Sequence, residues 1–139
     1  MYYLKTSACF DSAHFLHGYN GKCANIHGHR WIVEVKISGD KLQGSGEKRG
    51  MLMDFGEFKK AVKELAEGFD HTLIYEKNTL KPTTVAMLKE EGFSLVETDF
   101  RPTAENFAAY IYSDLCNKGL PISCVTVYES PENCAAYGE

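Results

Sequence analysis

The run Trp31-Ile32-Val33-Glu34-Val35-Lys36-Ile37 alternates apolar and polar side chains with period two, the pattern of a strand with one buried face. Such a strand needs neighbours to pair with and a layer to cover it, so this run commits the chain to a sheet. A second polar-aromatic strand, Tyr2 to Phe10, continues into Asp11-Ser12-Ala13-His14-Phe15. A short Gly-rich connection, His17 to Lys22, lies between them. Residues 2–15 and 26–38 are therefore expected to form two long strands, paired as an antiparallel hairpin.

Ahead of the alternating run stands Cys23-Ala24-Asn25-Ile26-His27-Gly28-His29. On a strand His27 and His29 project to the same side, one pleat apart, and can share one metal ion. Gly28 between them lets another chain or a ligand approach the backbone. The hairpin would bring His14 in as third ligand. His17 competes for that place but falls in the Gly-rich turn, where ligand geometry is poorly fixed. Three neutral imidazoles with one open position make a typical catalytic zinc site, whereas structural zinc is usually closed by four protein ligands. Cys23 has three roles open to it: fourth ligand, buried filler, or nucleophile or base. Its neighbour Lys22 and a nearby cation would favour the reactive thiolate. Spacing alone does not separate these roles.

The rest of the chain supplies layers for the sheet. Asp54 reads as an N-cap, followed by Phe55, Phe58, Val62, Leu65 and Phe69 at helical spacing, with Gly68 as a C-cap. Thr103 caps a second helix with Glu105 in its first turn and Phe107, Ile111 and Leu115 along one stripe; Gly119 and Pro121 end it. Residues 122–130 and 133–137 supply a last strand pair, and residues 41–50 a glycine-rich turn region. Between the helices, Thr84 to Glu91 is a short helix candidate and Phe93 to Val96 a strand candidate. The expected fold is a single α+β domain over residues 1–139, with antiparallel strands and helices on one face. Such a sheet has edges that must be covered or closed.

Composition narrows the function. With 139 residues there is room for one core. A net charge of -4 argues against non-specific nucleic-acid binding, which relies on clustered Lys and Arg. No apolar run approaches the roughly 18 residues that would span a bilayer. The start Met1-Tyr2-Tyr3-Leu4-Lys5 has no signal-peptide character, so a cytoplasmic location is expected. Cys9, Cys23, Cys116, Cys124 and Cys134 show no framework spacing and are expected as reduced thiols.

Phe10-Asp11-Ser12-Ala13-His14 followed by Cys23-x-x-x-His27-Gly28-His29 resembles the 6-pyruvoyl-tetrahydropterin synthase family. Further matches follow in order: Met53-Asp54-Phe55-Gly56, Phe69-Asp70-His71-Thr72-Leu73, Pro102-Thr103-Ala104-Glu105-Asn106 and Val127-Tyr128-Glu129-Ser130. The resemblance covers the chain except roughly residues 76–100, an extended insertion beside the compact bacterial members. The three-residue gap between Cys23 and His27 is similar to the bacterial 6-carboxy-5,6,7,8-tetrahydropterin synthase branch.

The resemblance implies a tunnelling fold: a four-stranded antiparallel sheet with two main helices on one face, three sheets joining into a barrel, and two trimers stacking as a homohexamer. It implies 7,8-dihydroneopterin triphosphate as substrate and one zinc per subunit on His14, His27 and His29. Cys23 would move protons on the substrate side chain, with His71, Asp70 and Glu129 relaying them. Glu129 would also anchor the pterin, supported by Thr103 and Glu105. By themselves Asp70-His71 would be an ordinary helix end, and Glu105 and Glu129 ordinary surface carboxylates. Lys22 and Arg30 are candidates for triphosphate contacts, although lone basic residues beside a strand are more often solvated. The implied product, 6-carboxytetrahydropterin, is formed with release of acetaldehyde and triphosphate and feeds queuosine (7-deazaguanine) synthesis. The alternatives are the pyruvoyl-forming reaction of the same fold and a non-catalytic zinc module with Cys23 as fourth ligand.

Overall fold

The computed structural model describes residues 1–139. Strands β1 (Tyr2–His14) and β2 (His27–Gly39) pair antiparallel over their whole length, from Tyr2 opposite Gly39 to His14 opposite His27. The expected hairpin is present within a residue of its expected bounds. Alternation decides what each strand buries: Phe10, Ser12 and His14 on β1, and Trp31, Val33, Val35 and Ile37 on β2, all face the core. Strand β5 (Ile122–Tyr128) pairs antiparallel with β2, and β6 (Cys134–Gly138) with β5.

Two helices cover one face of this sheet. Helix α1 (Phe55–Phe69) starts at Asp54, whose side chain accepts from the Glu57 N–H at 3.0 Å, and buries Phe58, Val62, Leu65 and Phe69. Phe55, expected on the same stripe, is instead exposed: at the first helical position it precedes the turn that faces the sheet. Helix α3 (Ala104–Asn117) is capped by Thr103, which accepts from the Asn106 N–H at 3.2 Å, and buries Phe107, Ile111 and Leu115 completely. Gly119 ends it at φ +88, and Leu120 N–H reaches back to the Leu115 carbonyl at 3.2 Å, a glycine-terminated helix end. Nineteen buried residues from both helices and the sheet make one core cluster. Each large side chain in it contributes roughly 1.5–3 kcal/mol by leaving water.

The sheet has six strands and not four, in the order β4-β3-β1-β2-β5-β6. The expected antiparallel four are its β1-β2-β5-β6 portion. Strand β3 (Thr72–Glu76) adds to β1 in parallel, and β4 (Leu95–Thr98) adds to β3 in parallel, with helix α2 (Pro82–Glu90) crossing between them. The insertion thus supplies α2 and β4, which with β3 just ahead of it make a βαβ extension of the sheet. Its helix and last strand lie where the sequence suggested, but β3 escaped notice. Ile74 and Tyr75 are both buried and adjacent, so this short strand shows no alternation to read. No helix is long and apolar enough to cross a membrane.

Gly68 does not cap α1. The helix ends at Phe69, stopping before Asp70 as expected, but the cap is Asp70 itself, which leaves the helix in extended conformation (φ −65, ψ 133). The left-handed residue is His71, at φ +57. Tertiary contacts hold it there: the Asp11 N–H donates to Asp70 Oδ1 at 2.9 Å, and the His71 N–H donates to the Asp11 carbonyl at 2.7 Å.

Candidate metal centre

The end of the β1–β2 hairpin carries the chemistry. Opposite pairing of His14 with His27, and the two-residue step to His29, put all three imidazoles on the core face at its rim. Their ring centroids lie 4.6, 5.0 and 4.9 Å apart. Trp31, one more pleat inward, forms the floor, 4.9 Å from the His14 ring and 5.0 Å from Phe107. The site is therefore seated on the core, whose packing fixes the rings.

Backbone carbonyls set the tautomers. His14 Nδ1 lies 2.7 Å from the Pro102 carbonyl and His27 Nδ1 lies 2.6 Å from the Asn25 carbonyl. A carbonyl only accepts, so each Nδ1 carries the proton and each Nε2 presents a lone pair. This is the arrangement that orients metal-binding histidines. The Nε2 atoms of His14, His27 and His29 are buried with no hydrogen-bond partner. An unsatisfied buried polar atom costs about 1–3 kcal/mol, and three converging on one point are resolved by a cation. Together with Glu129 they form a set of ligand atoms all within 4.8 Å of one another. Glu129 Oε1 is 2.7 Å from His29 Nε2 and 3.9 Å from His14 Nε2. The shorter contact is proximity without the alignment of a hydrogen bond, which leaves the His29 nitrogen unsatisfied.

The electrostatics favour the metal-binding form. Burial holds His14 down to about 4 from an ordinary 6.5; the Pro102 carbonyl opposes this, and His27 and His29 add to it. Burial also lowers His29, with the Glu129 carboxylate pulling the other way. Metal ligation requires neutral imidazole, so His14 and His29 are prepared for it at neutral pH. Nitrogen and carboxylate donors in this number suit zinc or another borderline divalent ion.

Beside the histidines lies a cavity of about 290 Å³, lined among others by His14, Thr103, Glu105, Glu129, Asn133 and Cys134. Thr103, Glu105 and Glu129 therefore share a pocket with His14. A larger hollow of about 650 Å³, bordered by Tyr75, Lys81, Lys89 and Glu97, gathers no ligand set, so size is not the guide here.

The remaining expected residues stand apart. Asp70 and His71 are brought into contact, with His71 Nδ1 2.9 Å from Asp70 Oδ2, because the left-handed turn swings adjacent side chains to one side. The Asp11 N–H and His71 hold the Asp70 carboxyl below the usual range. Yet His71 lines a different hollow, with Ala13 and Ile26, which face away from His14 and His27. Within one chain His71 and the clustered histidines lie on opposite faces of the sheet. Cys23 sits half-buried in a 3₁₀ turn, Lys22–Ala24, and is not among the clustered ligands; nor is His17. Arg30 lies on the outer face, engaged with Asp11 at 3.5 Å and Cys9 at 3.2 Å, away from the histidines.

Sequence reasoning missed the orienting carbonyls of Asn25 and Pro102, which no side-chain pattern reveals. It also missed Arg101, which donates to the His17 carbonyl at 3.2 Å and lies over the Tyr19 ring at 5.9 Å. That guanidinium ties the loop bearing Cys23 to the start of α3.

The family description "6-pyruvoyl tetrahydropterin synthase" matches residues 3–139. The chain is 35% identical to 6-carboxy-5,6,7,8-tetrahydropterin synthase of Haemophilus influenzae, covering 100% of both sequences. It is 32% identical to the enzyme of that name from Rickettsia felis, over 90% of this chain and 91% of that protein. Among solved structures, an uncharacterised protein of Wolinella succinogenes superposes with TM-score 0.81 at 20% identity, covering 99% of this chain and 98% of that one. The 6-pyruvoyl tetrahydropterin synthase of Caenorhabditis elegans superposes with TM-score 0.67 at 23% identity, over 99% and 95%. These two likenesses establish the fold, and the full-length sequence match establishes the lineage: the chain belongs to the 6-pyruvoyl tetrahydropterin synthase family.

Proposed function

We propose that this protein is a zinc-dependent 6-carboxy-5,6,7,8-tetrahydropterin synthase, a lyase that converts 7,8-dihydroneopterin triphosphate to 6-carboxytetrahydropterin, acetaldehyde and triphosphate. The observation that carries this reading is the convergence of three unpartnered imidazole nitrogens beside a pocket containing Thr103, Glu105 and Glu129. The full-length match to the Haemophilus influenzae enzyme of that name supports the carboxy product.

His14, His27 and His29 would hold zinc, which when bound supplies Lewis-acid stabilisation of charge developing on the substrate's side-chain oxygens. Glu129 accepts two parallel hydrogen bonds from the pterin 2-amino group and N3–H, a donor pair that one carboxylate matches. Thr103 and Glu105 shape the same pocket. Cys23, as thiolate, takes a proton from the substrate side chain. His71 accepts the thiol's proton and Asp70 orients the imidazole, the division of labour in a nucleophile–base–orienter set. Substrate enters between subunits of a homohexamer, in the cytoplasm, and the product feeds 7-deazaguanine synthesis.

The test is to incubate purified protein with 7,8-dihydroneopterin triphosphate and identify the products by mass. Carboxytetrahydropterin with stoichiometric acetaldehyde is expected. A pyruvoyl product without acetaldehyde would place the protein in the other branch, and absence of turnover with zinc retained would favour a non-catalytic zinc module.

A further inference from the structure

Cys23 lies in the connection between β1 and β2, residues 15–26, and the bonds inside that connection are local. The Leu16 N–H donates to the Cys23 carbonyl at 2.9 Å, the Tyr19 N–H to the Leu16 carbonyl at 3.2 Å, and the Ala24 N–H to the Gly21 carbonyl at 3.2 Å. For residues 16–24, the one hydrogen bond from outside the connection comes from Arg101, whose Nη2 donates to the His17 carbonyl at 3.2 Å. The same guanidinium lies over the Tyr19 ring at 5.9 Å, within cation–π reach. Tyr19 in turn rests on Gly21: a Cβ on that glycine would stand 2.7 Å from Tyr19 Cε1, so the ring keeps its place only against a residue without a side chain. Gly21 is the N-cap of the 3₁₀ turn Lys22–Ala24 that carries Cys23. Contacts therefore run from Arg101 through Tyr19 and Gly21 to the thiol-bearing turn.

Arg101 is itself anchored. Its carbonyl accepts from the Thr103 N–H at 2.8 Å and from Asn106 Nδ2 at 2.9 Å, which ties it to the first turn of α3. Its Nε is buried without a partner, so the guanidinium is embedded in the fold and not merely solvated.

We infer that Arg101 is a positioning residue for Cys23, holding its turn in place through the His17 carbonyl and the stack of Tyr19 on Gly21. This rests on the proton-moving role proposed above for Cys23. A thiol that transfers a proton must stand within hydrogen-bond reach of the substrate atom, and a small misplacement costs turnover. Lysine is an incomplete substitute, since it keeps the charge and a donor but lacks the planar group that stacks on the ring.

The experiment compares wild type with Arg101→Ala, Arg101→Lys and Gly21→Ala. The last leaves the guanidinium in place while its added Cβ pushes the Tyr19 ring away. Zinc-loaded proteins are assayed with 7,8-dihydroneopterin triphosphate and their metal content is analysed. The rate at which iodoacetamide alkylates Cys23 is read by peptide mass, and circular dichroism confirms the fold. Arg101→Ala should lose about ten- to a hundredfold in kcat with KM within about twofold, because a displaced group costs turnover more than binding. Cys23 is half-buried, so release of its turn should speed alkylation several-fold. Arg101→Lys and Gly21→Ala should fall between, with zinc content as in wild type throughout. Unchanged kcat and alkylation in both Arg101→Ala and Gly21→Ala would overturn the inference. A raised KM with kcat and alkylation unchanged would make Arg101 a substrate contact, and loss of zinc from Arg101→Ala would place its effect at Pro102 and His14; either would overturn positioning of Cys23. A wild type inactive on this substrate would sink the proposed function and the catalytic part of the inference, while faster alkylation in the variants would leave the hold on Cys23 standing.

Discussion

His14 is the residue at which packing and chemistry meet. It is buried against Trp31, fixed by the Pro102 carbonyl, and left with an unsatisfied Nε2 among His27, His29 and Glu129. His27→Ala should abolish zinc binding and turnover together, whereas His17→Ala should keep both; full zinc retention in His27→Ala, by metal analysis, would contradict the ligand set. Cys23→Ala should lose turnover yet keep zinc and fold, since Cys23 stands outside the cluster. Combining it with His71→Ala should cost little more than either change alone, because residues acting as one unit are not additive. The pH dependence follows from His14. The unfolded chain takes up this proton near 6.5, but the folded, metal-free protein only near 4. Between those values the unfolded state binds more protons. This contribution is therefore full above pH 6.5 and lost as pH falls toward 4. Urea titrations of the metal-free protein across this window should show the decline. A flat profile would mean that His14 is not held neutral.

At the scale of elements, the sequence disclosed what is local and periodic. The hairpin, the faces of α1 and α3, and the caps at Asp54 and Thr103 were legible because alternation, 3.6-residue spacing and capping chemistry are written in neighbouring residues. The three histidines were legible for the same reason, since the hairpin alone brings them together. What was not legible depends on distant partners. Strand β3 is buried on both faces and pairs in parallel with β1, so nothing in Thr72–Glu76 announces it. Gly68 suggested a helix stop before Asp70, which holds, but the cap is Asp70, tied by hydrogen bonds to Asp11, and not the glycine. Gly119 is a case where the local signal held. At φ +88 it adopts a conformation that a Cβ disfavours. Gly119→Ala should therefore lower stability by about 1 kcal/mol in denaturant unfolding, with metal content unchanged. No loss of stability would mean that the helix end relaxes into another turn.

On the scale of the whole molecule, two facts bear on assembly. The sheet ends in edges at β4 and β6, and the residues expected to cooperate lie on its opposite faces. Unpaired edges favour pairing with further chains. His71 and the histidine cluster border separate hollows within one chain, so a proton relay joining them would draw on a second subunit. Light scattering should therefore give a trimer or hexamer of the 15.6 kDa chain; a stable, active monomer would refute this. A sharper test mixes two inactive variants. His27→Ala lacks the metal set but keeps the dyad, and His71→Ala the reverse. Co-refolded in equal amounts, they should form hybrids in which about a quarter of the sites draw an intact half from each of two protomers, the statistics of heterologous contacts in a closed ring. Activity should return to about that fraction of wild type, although each parent alone is inactive. Hybrids that form, as shown by native mass analysis, yet stay inactive would mean that the dyad serves its own chain or plays no part, and the shared site would fall.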